Sequence, residues 1–393
     1  MADDYARGAL SQLAAFEATH LSVLAAARRF DDERVLRVVD LGAADGVNSH
    51  GLIRELAEQR AGRPLIYALV DLPTNAWSVA GKHLRHAFDA ADPSRVVVIP
   101  APGEGGPGVA DAGTGVHYAT PEAHDEACRR AVEHNPPPAT VISLAGIPLH
   151  RAPCLPEGSV HVAVSGTTMH WVADSGALPS TGSVFPGYPD HKDEGERRAW
   201  RVAAAQQWQR LLKIRAQELT PGGRFIAALP ASPAPDPERT GLYVEIIGDM
   251  NRLLAEWRRA GRISAATVAA VVVPVWMRTL DEIRAPFEAG GGRVAGLELE
   301  SAELFRLDNP YWHEDPAVFA RGYVQSVLAW GGPLLHRAFA REGEDRARGL
   351  LADFVQTLEE RVAVAPERYR WDYIEALLIC RKADGTEAGP TAR

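Results

Sequence analysis

The stretch RVLRVVDLGAADGVN, residues 34–48, restricts the possible folds more than any other part of the chain. Its first half, Val35–Leu41, is an aliphatic and β-branched run typical of a parallel strand that is covered on both faces. Gly42 and Gly46 follow and allow a sharp turn, after which a helix is expected. Asp40 lies at the carboxyl end of the strand, where open α/β sheets bind their ligands. The stretch therefore predicts the first strand, loop and helix of a doubly wound sheet.

The loop after this strand indicates which kind of ligand it binds. Its spacing is G-x-x-x-G, whereas the dinucleotide fingerprint requires G-x-G-x-x-G. It also carries two carboxylates, Asp40 and Asp45, which would repel a phosphate. A second apolar run, Leu65–Asp71, ends in an acid that is placed to hold ribose hydroxyls. S-adenosylmethionine (SAM) has a ribose diol, an ammonium and a sulfonium but no phosphate, so the pattern favours SAM over a dinucleotide.

The composition excludes several classes of partner. The 393 residues are enough for one large domain with a cap, and the content of 46% hydrophobic and 24% charged residues is ordinary for a globular protein. The net charge is −9 without any run of Lys or Arg, so nucleic acids and anionic membranes are poor partners. No uninterrupted apolar run reaches the roughly 18 residues of a membrane span. We therefore expect a small-molecule partner.

The cysteines and the N-terminus bear on the compartment. The three cysteines, Cys128, Cys154 and Cys380, are far apart and lack metal-ligand spacing, so neither a disulfide framework nor a zinc site is expected. The chain starts with acids, Asp3 and Asp4, rather than the basic region of a secretory signal. We therefore expect a cytoplasmic protein.

The order of periodic segments predicts four regions. Residues 1–33 form an N-terminal lid whose helix covers 9–30, and residues 34–235 form the Rossmann-like SAM-binding core with an insertion at about 101–138. Residues 236–345 form a mostly helical cap, in which Gly331–Pro333 is expected to separate two helices. Residues 346–393 return to the core with a closing strand at 373–381 and a disordered tail. The predicted fold class is α/β, a doubly wound sheet with a helical cap.

Five motifs along the chain resemble one family, the SABATH-type methyltransferases. That family is known from plant salicylate, benzoate, jasmonate and indole-acetate carboxyl methyltransferases and from the caffeine-pathway N-methyltransferases. The similar stretches are YARGALSQ at Tyr5–Gln12, DLGAADGVNS at Asp40–Ser49, VDLPTN at Val70–Asn75, SVHVAVSGTTMHWV at Ser159–Val172 and RLLKIRAQELTPGGRFIAAL at Arg210–Leu229.

The resemblance implies roles for individual residues. Gln12 and Trp171 would donate hydrogen bonds to a substrate carboxylate, and His170 would assist or contact the substrate. From position alone, Gln12 could equally be a solvated helix residue, Trp171 a core aromatic and His170 a surface residue. The residues that the resemblance places around SAM are Tyr5, Asp40, Gly42, Gly46, Asn48, Asp71, Leu72, Ser165 and Gly166.

The chain also departs from the family pattern. The pair that flanks adenine in the family corresponds to Ile147 and Pro148, which leaves the adenine contacts open. Thr167 stands where the family has an aromatic residue, and this reshapes the substrate pocket. Some members bind a metal in the cap, but the corresponding stretch at 269–274, AAVVVP, has no acid or amide, so no metal is expected. The resemblance also suggests a homodimer.

The sequence therefore predicts a SAM-dependent methyltransferase that esterifies a small carboxylic acid. A carboxylate is already ionised at pH 7, so the reaction needs no general base. One alternative is an N- or O-methyltransferase of a heterocycle or phenol with His170 as base, and another is a non-catalytic protein that binds SAM or a small acid. Aromatic residues of the cap suggest an apolar or aromatic substrate, although most would be ordinary core: Tyr243, Trp257, Trp276, Tyr311, Trp312 and Phe319.

Overall fold

We describe the fold from a computed structural model of the chain. Tyr5, Tyr243, parts of the insertion predicted at 101–138 and the tail from 385 lie outside the described residues. The residues that the structure describes are 9–60, 62–72, 75, 77–89, 96–99, 109–111, 115–117, 120–134, 140–180, 182–186, 193–233, 244–370 and 373–384.

A nine-stranded sheet forms the centre of the described structure, in the order β3-β6-β2-β1-β7-β8-β11-β10-β9. The six strands from β3 to β8 in that order are parallel, while β11, β10 and β9 are antiparallel to their neighbours. A separate hairpin joins β4 and β5. The strands are β1 Leu36–Leu41, β2 Leu65–Asp71, β3 Val96–Ile99, β4 Val109–Asp111, β5 Gly115–His117, β6 Thr140–Gly146, β7 Val160–Gly166, β8 Leu219–Pro230, β9 Arg293–Val294, β10 Leu297–Leu307 and β11 Tyr373–Lys382.

Helices cover both faces of the sheet and build the cap. The first four pack on one face, α6 and α9 pack on the other, and α7, α8, α10 and α11 share a separate core. None of the described helices is long and apolar enough to cross a membrane. The helices are α1 Leu10–Glu17, α2 His20–Arg28, α3 His50–Gln59, α4 Trp77–Asp89, α5 Pro121–His134, α6 Glu194–Glu218, α7 Val244–Arg259, α8 Ala265–Ala270, α9 Leu280–Ala289, α10 Pro316–Phe339 and α11 Glu344–Val364.

The parallel strands follow the sequence closely. Strand β1 is buried along nearly its whole length and lies between β2 and β7, and β6 pairs in register with the other edge of β2. The predicted strands at 65–71 and 96–99 have those bounds in the structure. The closing strand β11 ends one residue later than predicted. Runs of β-branched residues buried on both faces thus identify the parallel strands correctly.

Two helix predictions are wrong. The single helix expected at 9–30 is divided into α1 and α2, and Thr19 at the junction donates its hydroxyl to the carbonyl oxygen of Phe16 at 2.6 Å. The helix expected to end before Gly331 instead continues through Pro333 as α10. Val327 and Leu335, on either side of this segment, belong to the same buried core. Tertiary packing therefore outweighs the local cost of Gly and Pro within the helix.

Candidate active site

A cavity of about 430 Å³ opens at the carboxyl ends of the central parallel strands. It lies where the strand order reverses, between β1 with β2 on one side and β7 with β8 on the other, which is where doubly wound sheets bind ligands. We call one part the acidic end, formed by Asp40, Gly42, Asn48, Asp71 and Leu72. We call the other part the aromatic end, formed by Trp171, Phe185, Trp330 and Tyr373.

The glycine loop after β1 is tightly constrained. Gly42 has a φ of +85°, and a Cβ at this position would overlap the side chain of Thr168. Asp71, at the end of β2, accepts hydrogen bonds from the backbone N–H groups of Ala44 at 2.7 Å and Leu72 at 2.6 Å. Asn75 donates to the carbonyl oxygen of Ala44. The acid of the second strand therefore fixes the loop of the first.

Asp40 is buried at the base of the acidic end. Its Oδ2 accepts hydrogen bonds from the hydroxyls of Ser49 at 2.5 Å and Tyr67 at 3.2 Å. Burial raises the pKa of Asp40 to about 7. The hydrogen bonds from Ser49 and Tyr67 act to lower this pKa, and the charge of Asp71 acts to raise it. Burial also raises the pKa of Asp71. The acidic end thus holds two carboxyl groups that a positively charged ligand, or a ligand with hydroxyl donors, would stabilise.

The His170–Trp171 segment follows β7 and is held by its backbone. The carbonyl oxygen of His170 accepts a hydrogen bond from the backbone N–H of Trp276 at 2.9 Å. The amide of Gln207, on α6, donates to the carbonyl oxygen of Trp171 and accepts from the N–H of Ala173 at 2.6 Å. The indole of Trp171 is thereby fixed at the aromatic end of the cavity.

A buried arginine supports the same segment from behind. Arg278 is 1% exposed and donates to the carbonyl oxygens of Met169 and Ala204, each at 2.9 Å. Its guanidinium lies 5.2 Å from the ring centroid of Trp208. Burial lowers the pKa of Arg278 to about 10, so it stays charged at neutral pH. It ties the end of β7 to α6.

His170 lines the cavity as a neutral imidazole. Burial, followed by the charges of Arg278 and His150, lowers the pKa of His170 to about 3. Its Nδ1 has no hydrogen-bond partner among the described residues. The pKa of His150, which also lines the cavity, is lowered to about 4, mainly by burial. Neither ring therefore carries a positive charge that would attract an anion at pH 7.

Gln12 reaches the cavity from α1, which covers the carboxyl end of β7. Gly166 is in close contact with this helix, since a Cβ there would lie 2.8 Å from the ring of Phe16. The hydroxyl of Ser11 donates to Oε1 of Gln12 at 2.9 Å. This hydrogen bond identifies the acceptor end of the amide, and the amide nitrogen is the donor that Gln12 can offer to a ligand.

The aromatic end is closed by the segment before α9. Val172 donates its N–H to the carbonyl oxygen of Pro274 at 2.7 Å, and this contact places Val273 and Val275 in the wall. Thr167, which also lines the cavity, has a φ of +54°, a left-handed conformation that is unusual for a β-branched residue. The wall is therefore largely apolar and contains a strained backbone position beside the cavity.

The cap aromatics predicted for substrate selection do not form this wall. Trp257, Tyr311 and Phe319 are buried in the cap core, Trp312 packs against it, and Trp276 belongs to a small cluster with Trp200. These five belong to the ordinary core that the sequence predicted for most of them, because the apolar stripes of cap helices pack against each other. Instead, the cap contributes Val273, Val275, Met277 and Trp330 to the cavity, and Phe185 comes from the segment before α6.

The structure brings together most of the predicted site residues. Two do not line the cavity: Gly46 faces Leu69 and Leu84, and Ser165 is fully buried with its hydroxyl donating to the carbonyl oxygen of Leu41 at 2.8 Å. Tyr5 lies outside the described residues. The predicted residues that do line the cavity are Gln12, Asp40, Gly42, Asn48, Asp71, Leu72, Gly166, His170 and Trp171.

Sequence reasoning missed four residues that shape the site. Tyr67 donates a hydrogen bond to Asp40. Gln207 and Arg278 donate hydrogen bonds to the backbone of the segment that carries Trp171. Glu375 lies on β11 and lines the cavity. The available signal was a polar side chain within an otherwise apolar strand, which applies to Tyr67 and Glu375 only. The described residues contain no cluster of three or more His, Cys, Asp or Glu that would hold a metal ion.

Known proteins similar to this chain are methyltransferases. No protein-family model matches the chain. It is 25% identical to the O-methyltransferase acrG of Aspergillus aculeatus over 225 residues, 52% of this chain and 58% of that protein. The chain thus matches less than two thirds of the relative's length.

A solved structure is similar over nearly the whole chain. It is the structure of loganic acid methyltransferase with SAH, with a TM-score of 0.63, 16% identity, and coverage of 96% of this chain and 95% of that one. The predicted fold class is confirmed, because the chain has the Rossmann-like fold of SAM-dependent methyltransferases.

Proposed function

We propose that the protein is a SAM-dependent methyltransferase that esterifies a small apolar or aromatic carboxylic acid. The proposal rests mainly on one observation: Gln12 and Trp171, distant in sequence, line one cavity together with Asp40 and Asp71. The loganic acid methyltransferase with a similar fold and the matched O-methyltransferase support the same reaction class.

The acidic end suits SAM. Asp71 would accept from the ribose hydroxyls, and Asp40 would favour a positively charged ligand. Gly42 and Gly166 leave room for the side chains of Thr168 and Phe16, which pack against the cavity floor where a Cβ at either glycine would meet them. When bound, SAM supplies an electrophilic methyl group, and its transfer to a carboxylate oxygen gives a methyl ester and S-adenosylhomocysteine (SAH).

The aromatic end suits an apolar acid. The amide nitrogen of Gln12 and the indole N–H of Trp171 are neutral donors, which hold a carboxylate without protonating it. The lining residues of the described structure include no Lys or Arg, so these donors would orient the anion. The chain's contribution to the rate would come from orientation and from exclusion of water, because an ionised carboxylate needs no base.

One observation favours a second candidate function, methylation of a phenol or a ring nitrogen. His170 lines the cavity, and its Nδ1 has no partner among the described residues, so it is available to accept a proton. The lowered pKa of this imidazole makes it a weak base, which is why we rank this function second.

Transfer of a radiolabelled methyl group from SAM to a panel of acids, phenols and heterocycles tests the proposal. We expect base-labile methyl esters of apolar or aromatic acids and no labelled phenols or heterocycles. Binding of SAH without transfer to any member of the panel would contradict the proposed reaction, and labelling of phenols or ring nitrogens alone would favour the second candidate.

A further inference from the structure

The last strand brings a buried acid into the aromatic end of the cavity. Glu375 is 1% exposed, lines the cavity and pairs in register with Pro230 at the end of β8. Its Oε2 has no hydrogen-bond partner among the described residues. Burial alone raises the pKa of this carboxyl well above its usual range. Burial therefore favours the protonated, uncharged form of Glu375 at the edge of the site.

The alternation of side chains along β11 shows which face of the sheet it occupies. Ala376 and Leu378 belong to the core that includes α6 and α9. Leu377 and Ile379 pack on the opposite face, against the core that includes Phe16 of α1. Since side chains alternate along a strand, Glu375 lies on the α1 face, the same face from which Gln12 reaches the cavity.

A buried carboxyl without a partner is costly, and most buried polar groups are hydrogen-bonded. An apolar residue would fill the same position at lower cost, so the acid needs an explanation in terms of a ligand. We propose that Glu375 is a second polar anchor for the substrate, which recognises an uncharged hydroxyl or amide group at a distance from the methylated carboxylate. This inference rests on the proposed function and adds a substrate class to it, hydroxylated or amide-bearing acids.

The chemistry of the cavity favours an uncharged group over an ion. A protonated carboxyl offers one donor and one acceptor oxygen, which a hydroxyl or an amide can satisfy together. An ionised Glu375 would repel a substrate that already carries one carboxylate in the same cavity. The lining of the cavity in the described structure includes no Lys or Arg, so it supplies no countercharge from such a side chain.

Matched pairs of acids test the proposal. Each substituted acid differs from its parent by one polar group, and the groups lie at different distances from the carboxylate. The sets are benzoate with 3- and 4-hydroxybenzoate, and phenylacetate with its 4-hydroxy, 4-carboxamido and 4-aminomethyl derivatives. We expect a kcat/KM at least about 10-fold higher for one hydroxylated or amide-bearing member than for its parent acid, since a site built to bind such a group discriminates strongly against its absence. Glu375→Gln should keep this ratio within about 3-fold, because an amide also donates and accepts.

The ratio should fall to about 2-fold or less in Glu375→Leu, and in Glu375→Met if the leucine variant fails to fold. The control is Glu303→Gln, an exposed acid on β10 paired with Leu377, which should keep both the rate and the ratio. An unchanged ratio in Glu375→Leu, or a parent enzyme without discrimination, would overturn the inference. So would a preference for the 4-aminomethyl acid that Glu375→Gln abolishes, because the group would then be an ionised counter-ion.

Calorimetry of the same acids against SAH-saturated protein separates the two proposals. Discrimination in binding without methyl transfer to any acid would support the role of Glu375 and contradict the proposed reaction. Methyl transfer with equal binding of both members of every pair, in the parent and in Glu375→Leu, would contradict the role of Glu375 alone.

Discussion

The two ends of the cavity are built in different ways. At the acidic end, Asp40 and Asp71 terminate neighbouring parallel strands, and each carboxyl group has hydrogen-bond partners within the described chain. At the aromatic end, the lining comes from α1, from α10 and from β11, and Glu375 has an atom without any described partner. The carboxyl groups of one end are paired within the described residues, whereas the other end holds a carboxyl oxygen without a partner among them.

This difference indicates a division of labour between the sheet and the segments around it. The acidic end depends on backbone geometry close to β1 and β2, which any ligand with the same hydroxyls and charge can use. The aromatic end combines side chains that are hundreds of residues apart, such as Gln12 and Tyr373, so single substitutions can change the substrate without disturbing the other end. Variants at the two ends should therefore have separable effects.

Asp71→Ala should produce the largest effect and should act on the acidic end. The variant loses the acceptor for ribose hydroxyls and the two hydrogen bonds that fix Ala44 and Leu72. We expect calorimetry to show SAH binding about 100-fold weaker or worse, because hydrogen bonds to charged groups contribute about 1.5–3 kcal/mol each. Asp71→Asn, which keeps an acceptor oxygen, should lose less. Binding within 3-fold of the parent in Asp71→Ala would show that the acidic end is not the SAM site.

Trp171→Phe should affect the aromatic end alone. The variant keeps an aromatic ring but removes the indole N–H, so kcat/KM for the acid should fall about 10- to 100-fold while SAH affinity stays within 2-fold. Trp276→Phe is the matched control, because its indole donates to Glu282 and does not line the cavity. If the Trp171 variant lost SAH affinity as strongly as activity, the two ends would not be separable.

Glu375→Leu should raise the free energy of unfolding of the unliganded protein. Removing a buried polar group that has no partner recovers about 1–3 kcal/mol of desolvation cost, which urea unfolding measures. The pKa of Glu375 is raised above its ordinary value of 4.5, so the folded state binds a proton that the unfolded state releases above that pH. The parent therefore loses stability as the pH rises above about 4.5, and the advantage of the variant should grow in that direction. A variant that is less stable than the parent at every pH would mean that the carboxyl has a partner.

The acidic end could be predicted from sequence because its determinants are local. A buried strand, a glycine turn and an acid at the strand end occur within a few residues of each other, so the sequence alone places Asp40 and Asp71 on one rim of the sheet. Gly46 and Ser165 also belong to motifs that predicted the site, but both face the core. Spacing within a motif does not show which way each residue points.

Apart from Gln12, His170 and Trp171, which the family resemblance supplied, the aromatic end could not be predicted because its contacts are tertiary. Gln207 and Arg278 have ordinary helix and loop contexts in the sequence, and only the fold brings them behind Trp171 and Met169. The continuous helix α10 shows the same limit, because its local Gly-Gly-Pro signal is overridden by the core on both sides. Glu375 was the exception with a visible signal, an acid within the apolar strand YIEALLIC, although its position at the cavity depends on strand pairing.

The smallest effect is expected from His170→Asn, and it concerns the pH profile. The pKa of His170 is lowered to about 3, so the imidazole is neutral from pH 5 to 8 and does not titrate there. The profiles of kcat/KM for a carboxylic acid should therefore have the same shape in the parent and in the variant. A shared limb near pH 7 would belong to Asp40, whose pKa is about 7 and whose ionised form, present above that pH, should bind a positively charged ligand more tightly. A limb near pH 6–7 that is present in the parent and absent from His170→Asn would instead make His170 the base that a phenol or ring-nitrogen substrate requires.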